Sequence, residues 1–214
     1  MAVEQRKQGR VQATRNLKRG LILEAARRVF EAEGLEGASL RAIAAAAGYT
    51  PAALYFHFES KEAIYAEILQ VSLAKLGEVV RKEASQAIEP TERLRAAAMA
   101  FFRFYAENPR DLDLGFYLFR GGMTPEGLGK DRNEHLNRCL EAALNPIAEA
   151  AVQAGASPGH ARILMVDVFA HTAGLLLLSH TGRMRVFQLS ARDRMEAYLE
   201  TCLDNLPRPK DQVR

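Results

Sequence analysis

The 214-residue chain contains no tryptophan, only two cysteines, and aromatic residues to just 7%. Cys139 and Cys202 are too far apart in sequence for a zinc motif and too few for a disulfide framework. Such sparing use of cysteine fits a reducing compartment, and the expected location is cytoplasmic. The N-terminus is basic, but no apolar core of the secretory kind follows it. The longest apolar stretch, residues 163–178, is broken by Asp167 and His171, so it is expected to be a buried helix and not a membrane span. A phosphate-cradling glycine loop, a cluster of metal ligands, strand-type alternation and internal repeats are all missing. No metal and no cofactor are therefore expected.

Charge is scarce in net terms, at +3, which by itself does not announce a nucleic-acid partner. Its distribution says more. Arg6, Lys7, Arg10, Arg15, Lys18 and Arg19 face the single Glu4 in the first nineteen residues. A basic arm of this kind can lie along phosphates or enter a minor groove, although a solubilising tail has the same composition.

Helical periodicity is what the sequence does have, at its sharpest in residues 39–61. Ser39 is placed to cap a helix on which Leu40, Ile43, Ala44 and Ala47 form one apolar face. Gly48 follows, where leaving a helix at positive φ costs no Cβ clash. Thr50 then caps a second short helix with Pro51 at its first position, where a missing N–H is harmless. Leu54 and Phe58 point back to the first helix, which turns Tyr55 and His57 elsewhere. The small Ala52 and Ala53 leave the leading end of the second helix uncluttered. This is a helix-turn-helix pattern, whose second helix is shaped to enter a major groove. A preceding helix over residues 14–33, with Leu17, Leu21, Ala25, Val29 and Phe30 on one face, is expected to brace it.

The run from Gly34 to Glu62, above all Leu54-Tyr55-Phe56-His57-Phe58 followed by Ser60-Lys61-Glu62, resembles the TetR family of bacterial transcription regulators. The resemblance covers about the first quarter to third of the chain, and beyond it only length and helical character agree. It implies contact at or near bases by Arg41, Thr50, Pro51, Ala52 and Ala53. It implies phosphate contact by Tyr55, His57 and Lys61. Ala53 stands where the family often has glycine. The fold it implies is all-α, with about nine helices: a three-helix DNA-binding head and a helical body for ligand binding and dimerisation.

The expected domains are a flexible basic arm (1–13), the helix-turn-helix head (14–60), a connecting helix (61–88), the body (89–206) and a tail (207–214). Ser60 caps the connecting helix, with Ile64, Ile68, Val71, Leu76 and Val80 inward. In the body, Phe101, Phe102, Tyr105, Phe116 and Tyr117, with Arg120, His135, Cys139, Phe169 and His171, are candidates for an effector pocket. For most of the aromatics, simple core packing is the favoured account of the pattern, since aromatics at helical spacing usually fill a core. The last two helices carry Val168, His171, Leu175 and Leu178 on one and Met195, Leu199, Cys202 and Leu206 on the other. Such a surface is expected to pair with a second copy through a two-fold axis, giving a homodimer.

The function expected is a ligand-responsive DNA-binding transcriptional regulator. In its most specific form it is a repressor released from a pseudo-palindromic operator by a small, largely apolar effector. Two alternatives stand beside it. One is a DNA-binding dimer without an effector; the other is an all-α enzyme using His135 and Cys139, four apart on one helix.

Overall fold

Ten α-helices and no strands are found among the described residues of the computed structural model, which describes residues 2–116 and 128–206. Tyr117, Arg120 and the 207–214 tail, together with the side chain of Phe116, lie outside that description.

Helix α1 (Ala2–Gly37) begins well before residue 14, so helix runs through the residues expected to form a flexible arm. Its regular course is broken at Gly34 (φ 75°, ψ 177°), a conformation closed to residues with a Cβ. The buried face of α1 is Ile22, Ala25, Ala26, Val29 and Phe30. Leu17 and Leu21, expected on that face, are exposed at 67% and 50%. The phase is shifted because Ile22 and Ala26 offer a competing stripe one residue along.

Short helices α2 (Leu40–Ala47) and α3 (Pro51–Tyr55) follow, then the long α4 (Lys61–Gln86). The remainder is α5 (Pro90–Glu107), α6 (Pro109–Phe116), α7 (Lys130–Gln153), α8 (Pro158–His180), α9 (Arg183–Val186) and α10 (Ala191–Asp204). The four-residue α9 has no counterpart in the periodicity. Pro146 stands inside α7.

Contacts divide the chain into two compact units: residues 1–71 with 113–136, and residues 72–112 with 137–214. In the first unit, Phe30, Ile43, Leu54, Phe58, Ile64 and Tyr65 are all buried. The Tyr65 ring meets Phe30 edge-on at 5.1 Å, and its hydroxyl donates to the Leu114 carbonyl oxygen. Replacing Tyr65 by Phe keeps the ring and removes only that donor. The unfolding free energy is expected to fall by about 1–3 kcal/mol in urea titration, the typical cost of stripping a buried acceptor of its partner.

In the second unit α8 packs against α5, α9 and α10. By length and composition α8 is long and apolar enough to cross a membrane. One side of it, Ala161, Leu164, Met165, Val168, Thr172, Leu175 and Leu176, is buried within the chain. On α4, Val71 is exposed where it was expected inward, while Leu69, Ser72 and Leu73 are buried.

Candidate nucleic-acid interface

Local chemistry builds the helix-turn-helix as its sequence prescribes. Ser39 Oγ accepts from the Ala42 N–H at 3.1 Å, capping α2. Gly48 adopts φ 73° and its N–H closes the C-terminal turn on the Ala44 and Ala45 carbonyls. Thr50 Oγ1 accepts from the Ala53 N–H at 3.2 Å, and Pro51 occupies the first turn of α3. Ser60 Oγ accepts from Ala63 at 3.1 Å and starts α4. Each cap satisfies a donor that would otherwise go unpaired at a helix end, worth about 1 kcal/mol.

Fully buried Ile43, Ala44 and Leu54 lock α3 onto α2. The residues expected to contact DNA are then sorted by exposure. Arg41, Thr50, Pro51, Ala52 and Tyr55 are exposed, and Ala53, His57 and Lys61 are half-buried. The His57 ring meets Tyr49 edge-on at 6.4 Å, and its Nδ1 is buried without a hydrogen-bond partner. Lys61 Nζ donates to the carbonyls of Glu36 and Ala38, each at 3.0 Å, and so ties the start of α4 to the end of α1. An ammonium has three donors, which leaves one for an external oxygen.

Two residues escaped the sequence reading. Phe56 is exposed at 85%, immediately after α3 and between Tyr55 and His57. The signal is present in the sequence, since Leu54 and Phe58 take the inward positions and leave Tyr55 and Phe56 outside. Arg19 belongs by composition to the basic N-terminal segment, but its guanidinium lies over the Phe58 ring at 4.2 Å and pairs with Glu67. That carboxylate holds the Arg19 pKa above its ordinary value.

Among the described residues, the expected effector residues fall in more than one environment. Phe101, Phe102 and Tyr105 are buried in α5, with Phe101 edge-on to Tyr105 at 5.4 Å and to Phe169 at 5.9 Å. Burial pushes the Tyr105 hydroxyl far above its usual pKa, with Asp111 adding to the effect. His171 stacks on Tyr198 at 4.0 Å. Its hydrogen bond is to the Arg194 backbone, and Asp167, four residues away, is exposed. Desolvation lowers the His171 pKa. His135 is exposed and Cys139 half-buried. An open cavity of about 440 Å³ lies between α7 and α8, lined by Asn145, Glu149, Val152, Arg162 and Met165 among others. None of the expected effector residues that are described lines it.

Of the expected dimer residues, Val168, Leu175, Met195, Leu199 and Leu206 are buried inside the chain itself. His171, Leu178 and Cys202 are partly exposed. The unpartnered face of α8 is a different one: Ile163, Val166, Ala170, Gly174 and Leu177 are exposed at helical spacing.

Residues 22–68 match the profile of a family described as bacterial regulatory proteins, tetR family. The transcriptional activator FasR of Mycolicibacterium smegmatis is 36% identical over 102 residues, 48% of this chain and 47% of FasR. The transcriptional repressor KstR2 of Mycobacterium tuberculosis is 38% identical over 93 residues, 44% of this chain and 46% of KstR2. The chain thus spans about half the length of the curated relatives it matches. FadR of Bacillus subtilis, solved in complex with stearoyl-CoA, superposes with a TM-score of 0.67 at 15% identity, over 87% of this chain and 98% of FadR. At that identity the likeness is one of fold.

Proposed function

We propose, on the premise of the tetR family match over residues 22–68, that the chain is a DNA-binding transcriptional regulator of that family acting as a homodimer. The observation that carries this reading is the capped α3, held on α2 by Leu54 and presenting the small, exposed edge Thr50-Pro51-Ala52. With so few hydrogen-bonding groups, that edge suits close backbone approach and methyl contact with base edges. In this reading Arg41 lies near bases, and Tyr55, His57 and Lys61 lie on phosphates. A regulatory family leaves no role for the enzymatic alternative at His135 and Cys139.

Dimerisation is assigned to the exposed α8 stripe, and two copies then read two half-sites of a pseudo-palindrome. An apolar effector bound in the body would oppose DNA binding through a coupling of about 1–3 kcal/mol. Its apolar character is supported by the aromatic α5 core and by the stearoyl-CoA held by FadR. FasR is an activator and KstR2 a repressor, and repression is the output proposed here.

Selection from a pool of randomised duplexes at low ionic strength tests the reading. An enriched pseudo-palindrome is expected, and failure to retain any duplex would overturn it. With the selected site in hand, Lys61→Ala should weaken binding to all sequences alike. The slope of log K against log salt should flatten by about 0.9 for each phosphate that Lys61 neutralises.

A further inference from the structure

Arg19 sits at the meeting point of three elements of the first unit. From α1 its Nε donates to Glu67 Oε1 on α4 at 2.6 Å, and its Nη2 donates to Glu67 Oε2. Its Nη1 donates to the His57 backbone carbonyl at 2.9 Å, just beyond the end of α3. The guanidinium plane also covers the Phe58 ring at 4.2 Å. One side chain therefore engages a carboxylate in fork geometry, a backbone carbonyl and an aromatic face, which a planar guanidinium can do and an ammonium cannot. Both partners are half-buried, with side chains 34% and 25% exposed.

We propose that Arg19 is a positioning residue for the recognition helix. It fixes the turn that ends α3 against α4 and does not serve as a phosphate counter-charge. The inference deepens the DNA-binding reading above and rests on it. α3 has only five residues and one fully buried side chain, Leu54, so its orientation depends on how the following turn is held. The Tyr55–Phe58 segment donates backbone N–H groups to the Leu54 carbonyl from both His57 and Phe58. Anchoring the His57 carbonyl therefore restrains the whole segment that carries the proposed phosphate contacts. Glu67 lies on the second turn of α4, so a displacement of that turn reaches α3 through this fork.

The two roles make opposite predictions for Glu67→Gln. That change removes a negative charge from the head. If Arg19 were a phosphate ligand restrained by Glu67, the variant would bind DNA more tightly and with a steeper salt dependence. As a clamp, it loses the charge-assisted fork, and operator affinity falls by roughly tenfold with the salt slope unchanged. Arg19→Lys keeps the charge and loses the fork and the stack, and it should behave like Glu67→Gln.

The test measures operator affinity from low to moderate salt for the wild type and both variants. Amide hydrogen exchange of the Tyr55–Ser60 segment is measured on the same full-length proteins without DNA. Faster exchange in that segment, with weaker binding at constant slope, is the expected result. Unchanged exchange, or tighter binding of Glu67→Gln with a steeper salt slope, would overturn the clamp. A wild type that retains no duplex would instead overturn the functional reading, and the exchange data would still decide the role of Arg19.

Discussion

Replacing Leu177 by Glu is expected to convert the protein to monomers and to reduce operator affinity by a factor on the order of 10²–10⁴. Leu177 is exposed at 62% on the outer side of α8, in line with Ile163, Val166, Ala170 and Gly174. A carboxylate there costs the protomer little, because the position already faces solvent. In a two-fold interface the same substitution occurs twice, so two like charges would be forced into an apolar contact. Loss of the dimer then makes each half-site contact an independent event and forfeits the effective concentration that joins them. Sedimentation velocity reads the first effect and DNA titration the second. A dimer that persists, with its DNA affinity intact, would place the interface elsewhere. Leu175→Glu, which the sequence pattern suggests, cannot make this distinction. Leu175 is buried in the chain's own core, and the charge would unfold the protomer before it tested any interface.

That difference between Leu175 and Leu177 marks the limit of what local sequence encodes. Over α2, α3 and the start of α4 each boundary is set by a residue acting on its immediate neighbours: Ser39, Gly48, Thr50 with Pro51, and Ser60. Caps and left-handed turns are local events, so the sequence displays them directly. The two faces of α8 are another matter. Leu175, Leu176, Leu177 and Leu178 are all apolar, and a run without alternation carries no phase. Only packing against α5 and α10 decides which leucines are inside. The same failure of phase put Leu17 and Leu21 on the wrong side of α1. Long-range pairings were equally hidden. Nothing in the arm's composition separates Arg19, paired with a residue 48 positions away, from Arg15 or Lys18. Lys61 likewise shows in sequence only as a cation after a cap, and its two carbonyl acceptors come from 25 and 23 residues upstream.

Ala52→Glu should abolish specific DNA binding while leaving the fold intact, a separation that few substitutions in a small head allow. Ala52 is exposed and follows Pro51 in the first turn of α3, where a longer side chain can extend into solvent. An acidic residue in the first turn of a helix interacts favourably with the unpaired N–H groups there, worth about 0.3–1 kcal/mol. The thermal midpoint is therefore expected to hold or rise slightly. Against DNA the effect reverses. The carboxylate would stand on the edge proposed to approach the bases, facing the phosphate field and the acceptor groups of the major groove. Juxtaposed like charges cost several kcal/mol, so affinity for the selected operator should fall by at least roughly 100-fold. Scanning calorimetry and DNA titration on the same preparation separate the two outcomes. Unimpaired operator binding by a folded Ala52→Glu protein would remove α3 from the interface. The basic N-terminal part of α1 and the exposed Phe56 beyond the end of α3 would then be the surfaces left to hold the duplex.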